Sequence, residues 1–149
     1  MRSAASESRS QAPASSAYAP AFLVARLCLA TVFFYSGATK LIQWRATITE
    51  FESLGLPLPT VAVAATVAVQ LLGALAVALG WRVRLAALAL AAFTVVATLI
   101  GHPFWSFEGP EFQRQFTTAL EHLAIVGGFL LLAAVGPGRL SVGHEEKIA

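Results

Sequence analysis

"LLGALAVALGWRVRLAALALAAFTVVATLI", residues 71–100, joins two long apolar runs through the short connection "GWRVRL". Each run belongs to a segment of about twenty residues, which as a helix crosses a hydrocarbon core of roughly 30 Å. Lipid offers the backbone no hydrogen-bond partner, so both segments are expected to be α-helices. The short connection predicts a tight antiparallel hairpin, with Gly80 ending its first helix.

The composition of the whole chain supports a membrane location. Hydrophobic residues make up 57% and charged residues 12%, with a mean hydropathy of +0.72, whereas a soluble domain carries roughly a quarter charged residues. The ten Lys and Arg are spread along the chain, mostly between apolar segments, and form no basic stripe, which argues against nucleic-acid binding. The single cysteine, Cys28, excludes an intrachain disulfide and a CxxC pair, so redox chemistry would need a bound cofactor or a partner protein.

Two further apolar segments complete the pattern and predict an all-α membrane protein, a four-helix transmembrane bundle. The expected spans are about 20–39, 60–81, 84–102 and 116–135, within a transmembrane domain of residues 20–140. Residues 1–19 are rich in Ala, Ser and Pro and predict a disordered tail, and residues 141–149 a C-terminal tail. A signal peptide is disfavoured because about nineteen largely polar residues precede the first apolar run.

The connection between the first two helices differs from the hairpin, because it is long enough to hold structure of its own. Apolar residues recur there at helical spacing with charged residues between them, which predicts a short amphipathic helix on the membrane surface; they are Leu41, Trp44, Ile48, Phe51 and Leu54.

The distribution of Lys and Arg gives the orientation. Six lie on the side of the two tails and the hairpin, and three on the opposite side. This excess predicts that both termini are cytoplasmic and that the amphipathic segment faces outward.

Polar side chains inside the apolar segments are the candidate functional residues, because burying them in hydrocarbon is costly. Arg26 lies near the cytoplasmic end of the first helix, where it either extends to the headgroups or has a buried role. Gln70 is the strongest polar group at mid-depth of the second helix and should point into the bundle, where an interhelical hydrogen bond is the simplest role.

His102 and His122 lie near the outward ends of the third and fourth helices, and both come near the outer boundary if these helices are neighbours. Whether the two side chains face each other is left open by the sequence. Three roles stay open: metal or haem ligation, hydrogen bonding to a quinone or lipid headgroup, and interfacial packing. No close-spaced ligand motif accompanies them, so haem and zinc are disfavoured and no metal site is predicted beyond this pair. Trp105 and its neighbouring phenylalanines predict an aromatic interface belt or the wall of a binding vestibule.

No GxSxG, P-loop, HExxH or dinucleotide-binding pattern is present, so the sequence offers no self-sufficient catalytic motif. The chain nevertheless resembles the DoxX family of small bacterial membrane proteins over about residues 22–143. The motifs G-x-x-K-L, G-x-x-x-R-L, H-x-F-W and G-P-G-R-x-S occur in the expected order, within "RLCLATVFFYSGATKL", "QLLGALAVALGWRVRLAALALA", "HPFW" and "LAIVGGFLLLAAVGPGRLSV".

The resemblance implies a location in the bacterial cytoplasmic membrane and, for some relatives, a link to membrane oxidoreductase complexes such as thiosulfate–quinone oxidoreduction. The arginine and lysine of the family correspond to Arg26 and Lys40, and its histidine–aromatic motif includes His102 and Trp105. Two departures are expected: Gln70 stands where the family has a glutamate, and His122 where it has an asparagine. An acid used for proton transfer would then be lost here, or replaced by His122 or its neighbour Glu121.

The leading hypothesis is an accessory subunit of a membrane redox system with a quinone-facing pocket at its outer end. The candidate lining residues are Arg26, Lys40, Gln70, His102, Trp105 and His122. The expected partners are the lipid bilayer, membrane or soluble redox proteins and a second copy of the chain, and quinone is the only cofactor candidate retained. A small-solute transporter or channel and a structural scaffold without a ligand are the alternatives.

Overall fold

A computed structural model describes residues 18–142. The predictions for a disordered tail over residues 1–17 and for residues 143–149 of the C-terminal tail lie outside the described residues, as do Arg2, Arg9 and Lys147 of the charge count. Within residues 18–142 the chain is helical, without strands. Its α-helices are α1 (Ala19–Ile42), α2 (Trp44–Ser53), α3 (Pro59–Leu79), α4 (Val83–Gly101) and α5 (Gly109–Val135), with a 3-10 turn at Phe104–Ser106.

Helices α1, α3, α4 and α5 are long and apolar enough to cross a membrane, with mean hydropathies of 1.7 to 2.2 over their best windows. The predicted all-α four-helix bundle is confirmed. Helix α2 is the amphipathic segment between the first two spans, and it packs against α3. We call the bundle end formed by residues 42, 59, 101 and 109 the loop end, and the end formed by residues 19, 79, 83 and 135 the termini end.

The fourth spanning helix begins at Gly109, earlier than residue 116, where the hydropathy rises. Pro110 occupies the first turn, where its missing N–H costs nothing, and Glu111 places a negative charge near the helix N-terminus. Residues 109–115 are too polar for hydrocarbon. The rise in hydropathy at residue 116 therefore marks where the helix can contact lipid, and not where the helix begins.

The hairpin between α3 and α4 ends its first helix at Gly80, as predicted. Gly80 has a φ of 78°, a left-handed conformation that favours glycine. The N–H groups of Gly80 and Trp81 donate back to the carbonyls of Val77 and Ala76 at 3.2 and 2.9 Å, which satisfies two carbonyls at the helix end.

The core of the bundle contains a layer of three aromatic rings from three helices. Phe33 of α1 makes edge-to-face contacts with Phe129 of α5 at 5.3 Å and with Phe93 of α4 at 6.4 Å between ring centroids. Phe33 and Phe129 are buried, and the surrounding core is aliphatic. We call these three rings the aromatic layer, and it separates the loop end from the termini end.

At the termini end, residues 136–142 fold back over the bundle. The N–H of Val142 donates to the carbonyl of Leu79 at 2.9 Å, and the Arg26 guanidinium donates to the carbonyl of Leu140. The sequence left open whether Arg26 extends to the headgroups or is buried. In the structure the Arg26 side chain is completely buried. Its Nε and Nη1 atoms have no hydrogen-bond partner within residues 18–142.

Candidate functional site

A cavity of about 350 Å³ opens at the loop end, bounded by α1, α2, α3, α4 and α5. Its walls are mainly apolar. The polar side chains that face it are Ser36, Lys40, Glu50, Thr66, Gln70, Thr94, His102 and His122. A mostly apolar cavity with a few convergent polar groups is typical of a small-molecule site.

One wall of the cavity carries a hydrogen-bonded group of three side chains from α1 and α3. The Lys40 ammonium donates to Ser36 Oγ at 2.9 Å, and the Gln70 amide nitrogen donates to the same oxygen at 3.1 Å. Lys40 and Ser36 lie four residues apart on one face of α1. Gln70 therefore makes the interhelical hydrogen bond that its position in an apolar helix predicts.

The close approach of α1 and α3 brings this group together. A side chain at Gly37 would place its Cβ 2.9 Å from a Leu71 methyl group and 3.1 Å from the Gln70 Cβ. Only glycine allows the two helices to approach this closely, and the short separation puts Ser36 within reach of Gln70.

Much of the hydrogen-bonding capacity of this wall is unused. Gln70 is 5% exposed, and its Oε1 is buried without a hydrogen-bond partner in the part of the chain that the structure describes. The Ser36 hydroxyl hydrogen and two of the three Lys40 N–H groups also lack an acceptor among the described residues. This wall therefore offers a ligand three donor hydrogens, one on Ser36 and two on Lys40, and one acceptor, Gln70 Oε1.

The opposite wall carries His102 and His122, whose ring centroids lie 5.2 Å apart at an interplanar angle of 71°. The Nδ1 atom of His122 is 2.7 Å from Thr98 Oγ1, and the Nδ1 atom of His102 is 2.8 Å from Gln115 Oε1. The sequence left open whether the two histidines face each other, and the structure brings their rings together.

A chain of polar contacts links His102 to the surface of the loop end. The Gln115 amide nitrogen donates to Glu111 Oε1 at 2.7 Å, and the same carboxylate oxygen accepts from Arg114 at 2.8 Å. The Arg114 side chain is exposed. This arrangement fixes the orientation of the Gln115 amide, because the carboxylate can only accept hydrogen bonds.

Two of the six candidate residues do not line the cavity. Fourteen residues separate Arg26 from Lys40, roughly 21 Å along the helix, so Arg26 lies at the termini end beyond the aromatic layer. Trp105 is 57% exposed and contacts Phe104 at 5.0 Å in the turn outside the bundle. The predicted placement of Arg26 and Trp105 in a common pocket with Lys40 is therefore wrong. Arg26 shares a helix face with Lys40, but a shared face does not give the depth of a side chain along the helix axis. Trp105 lies in the 3-10 turn, which places it outside the cavity.

Sequence reasoning missed several lining residues, including Ser36, Glu50, Thr66 and Thr94. Ser36 could have been found from its position four residues before Lys40. Glu50 comes from α2, whose placement over the cavity no local pattern indicates. Among residues 18–142 no group of three or more His, Cys, Asp or Glu side chains is arranged to hold a metal ion.

Four spanning helices with a cavity at one end define a small multi-pass membrane protein. The DoxX family model matches residues 21–103, and the chain belongs to the DoxX family. It is 30% identical over 123 residues to the inner membrane protein YphA of Escherichia coli (strain K12), covering 83% of this chain and 88% of that protein. It is 33% identical to the inner membrane protein YqjF of the same organism, also over 123 residues, covering 80% and 87%.

No solved structure matches the chain. The relatives and the four spans together identify a multi-pass protein of the inner membrane.

Proposed function

We propose that the protein binds the head group of a quinone-class lipid in the loop-end cavity and serves as an accessory subunit of a membrane redox system. The observation that carries the proposal is the cavity itself. It combines apolar walls with unused hydrogen-bonding groups on Lys40, Ser36 and Gln70. A flat ring with oxygen substituents needs both features: apolar surface against its faces and polar groups at its edge.

The dimensions of the cavity suit such a head group. Its volume of about 350 Å³ lies at the small end of the ~300–1,000 Å³ range of small-molecule sites. Val32, Val96 and Ile100 contribute to its lining and are themselves exposed on the outer surface of the bundle, where lipid would lie. A ligand with an apolar tail could therefore keep its ring in the cavity and its tail in the bilayer.

The aromatic layer favours binding over conduction. Phe33 and Phe93 form part of the cavity lining, and Phe129 packs behind Phe33. These rings separate the polar groups of the loop end from Arg26 at the other end. A transporter or channel would need a polar path between the two ends, and aromatic packing across three helices between them supports binding rather than conduction.

Binding of decylubiquinone to the full-length protein in mild detergent tests the proposal, together with analysis of co-purified lipid. We expect quinone in the lipid extract and saturable binding that is about fivefold weaker in Lys40→Met, since one hydrogen bond is worth about 1 kcal/mol. Arg45→Met is the matched control, because Arg45 is exposed and outside the cavity lining. Absence of both co-purified quinone and saturable binding would overturn the proposal, as would equal effects of the two substitutions.

A transport assay distinguishes the proposed accessory subunit from a small-solute transporter, the main alternative. Uptake of a small solute into proteoliposomes that is abolished by Gln70→Leu would support a transporter and contradict the accessory-subunit assignment. Retention of fold and of native complexes in proteins altered at both Lys40 and Gln70, without any ligand binding by the wild type, would support a scaffold.

A further inference from the structure

The hydrogen-bond partners of His102 and His122 determine which ring nitrogen of each neutral imidazole carries the proton. Each ring nitrogen Nδ1 is hydrogen-bonded away from the cavity, and neither Nε2 has a hydrogen-bond partner within residues 18–142. In a neutral imidazole one nitrogen donates and the other accepts. Which nitrogen accepts follows from the chemistry of the two Nδ1 partners.

For His122 the partner is a hydroxyl group that is already committed as a donor. Thr98 Oγ1 donates to the carbonyl of Thr94 at 2.6 Å, one turn earlier in α4. A hydroxyl has a single hydrogen, so the contact of 2.7 Å between Thr98 Oγ1 and His122 Nδ1 needs its hydrogen from the imidazole. Neutral His122 therefore carries its proton on Nδ1 and leaves a lone pair on Nε2.

For His102 the partner is an amide oxygen, which can only accept. The Gln115 nitrogen donates to Glu111, and this places Gln115 Oε1 towards His102. His102 Nδ1 must then donate across the distance of 2.8 Å. Neutral His102 has the same tautomer as His122, and its Nε2 is likewise an acceptor.

We propose that the Nε2 atoms of His102 and His122 accept hydrogen bonds from the hydroxyl groups of a dihydroxy-aromatic ring, so that the cavity binds the quinol form more tightly than the quinone form. This inference rests on the proposed function. A quinone has only carbonyl oxygens, and a carbonyl facing an imidazole lone pair gains no hydrogen bond. A quinol has two hydroxyl groups that donate, and Gln70 Oε1 is a further unused acceptor for them.

The donors on the other wall do not discriminate between the two forms. Lys40 and Ser36 can donate to a carbonyl oxygen or to a phenolic oxygen, because both have lone pairs. Preference for one oxidation state therefore comes from the acceptors, and the histidine wall supplies two of them. The consequence is a membrane subunit that holds the reduced form of its ligand.

Equilibrium binding of decylubiquinol and decylubiquinone to the full-length protein, under anaerobic conditions in detergent, tests the inference. We expect the wild type to bind the quinol at least about fivefold more tightly, the effect of one net hydrogen bond. His122→Phe keeps a ring of similar shape and removes the acceptor, so it should lower quinol affinity about fivefold and leave quinone affinity within about twofold. His102→Phe should do the same, whereas Lys40→Met should weaken both forms alike.

A second probe needs no variant. The wild type should bind the dimethyl ether of the quinol about as weakly as the quinone, because methylation removes the donated hydrogens. Equal affinity for quinol and ether, or equal losses for quinol and quinone in His122→Phe, would overturn the inference. Lys40-dependent binding of both forms without a preference would refute this inference alone. No binding of either form would refute the proposed function with it.

Discussion

Replacing Ser36 with alanine probes the polar contact between α1 and α3. In the structure Ser36 Oγ accepts from both Lys40 and Gln70, at 2.9 and 3.1 Å. Gln70 is buried, and its Oε1 already lacks a hydrogen-bond partner among the described residues. Ser36→Ala would leave both ends of this amide without a hydrogen bond, and tight packing at Gly37 limits any helix movement that could relieve the loss.

Two general magnitudes bracket the cost. A buried polar group left unsatisfied costs about 1–3 kcal/mol, whereas hydrogen bonds between transmembrane helices average about 0.6 kcal/mol. Lys40 is only half-buried and reaches water at the loop end, so its loss of Ser36 adds little. The Gln70 amide decides the outcome, and we expect Ser36→Ala to lower the free energy of unfolding by about 1–2 kcal/mol.

A double-mutant cycle separates this contact from other effects of the substitution. When Gln70→Leu is already present, no amide remains to be left unsatisfied, and Ser36→Ala should then cost less than about 0.5 kcal/mol. The measurement is reversible unfolding in mixed detergent micelles, followed by circular dichroism, for the four proteins of the cycle. A coupling free energy near 1 kcal/mol is expected, and additivity of the two substitutions would refute the reasoning.

Two further predictions concern packing and orientation. Gly73→Ala should lower the thermal stability in detergent because its Cβ would lie 2.8 Å from a Leu90 methyl group, whereas Gly127→Ala, which meets nothing within 4 Å, should raise stability by up to ~1 kcal/mol; equal shifts would contradict the packing described. With the native cysteine removed, Ser106→Cys should react with a membrane-impermeant maleimide on intact spheroplasts and Trp81→Cys only after lysis; the reverse pattern would refute cytoplasmic termini.

The fold could be predicted because lipid removes most alternatives. Long apolar segments must be helical in hydrocarbon, and a short connection must return the chain at once, as it does at Gly80. The start of α5 at Gly109 was not predictable from hydropathy, since a helix can continue beyond the lipid into water. The amphipathic α2 was predicted by its periodicity, and its bounds of Trp44–Ser53 lie within the expected segment.

The site was predictable only in part, because helical periodicity gives the direction of a side chain but neither its depth nor its neighbours. His102 and His122 could be brought together by assuming that consecutive helices are adjacent. The grouping of Arg26 with Lys40 used their common face and neglected their separation along the axis. The contribution of Ser36 depends on the close approach at Gly37, which is a property of two packed helices and cannot be derived from either one.

The two polar ends of the bundle differ in their contacts, and the aromatic layer lies between them. At the termini end the Arg26 guanidinium donates to the carbonyl of Leu140, so the buried charge ties residues 136–142 to the bundle and is itself removed from any route through the membrane. At the loop end the charged and polar groups surround open space and keep unused hydrogen-bonding capacity. Since Phe33 and Phe129 fill the interior between these ends, a change at Arg26 should act through the fold of the termini end, and a change at Lys40 or His122 through the occupancy of the cavity.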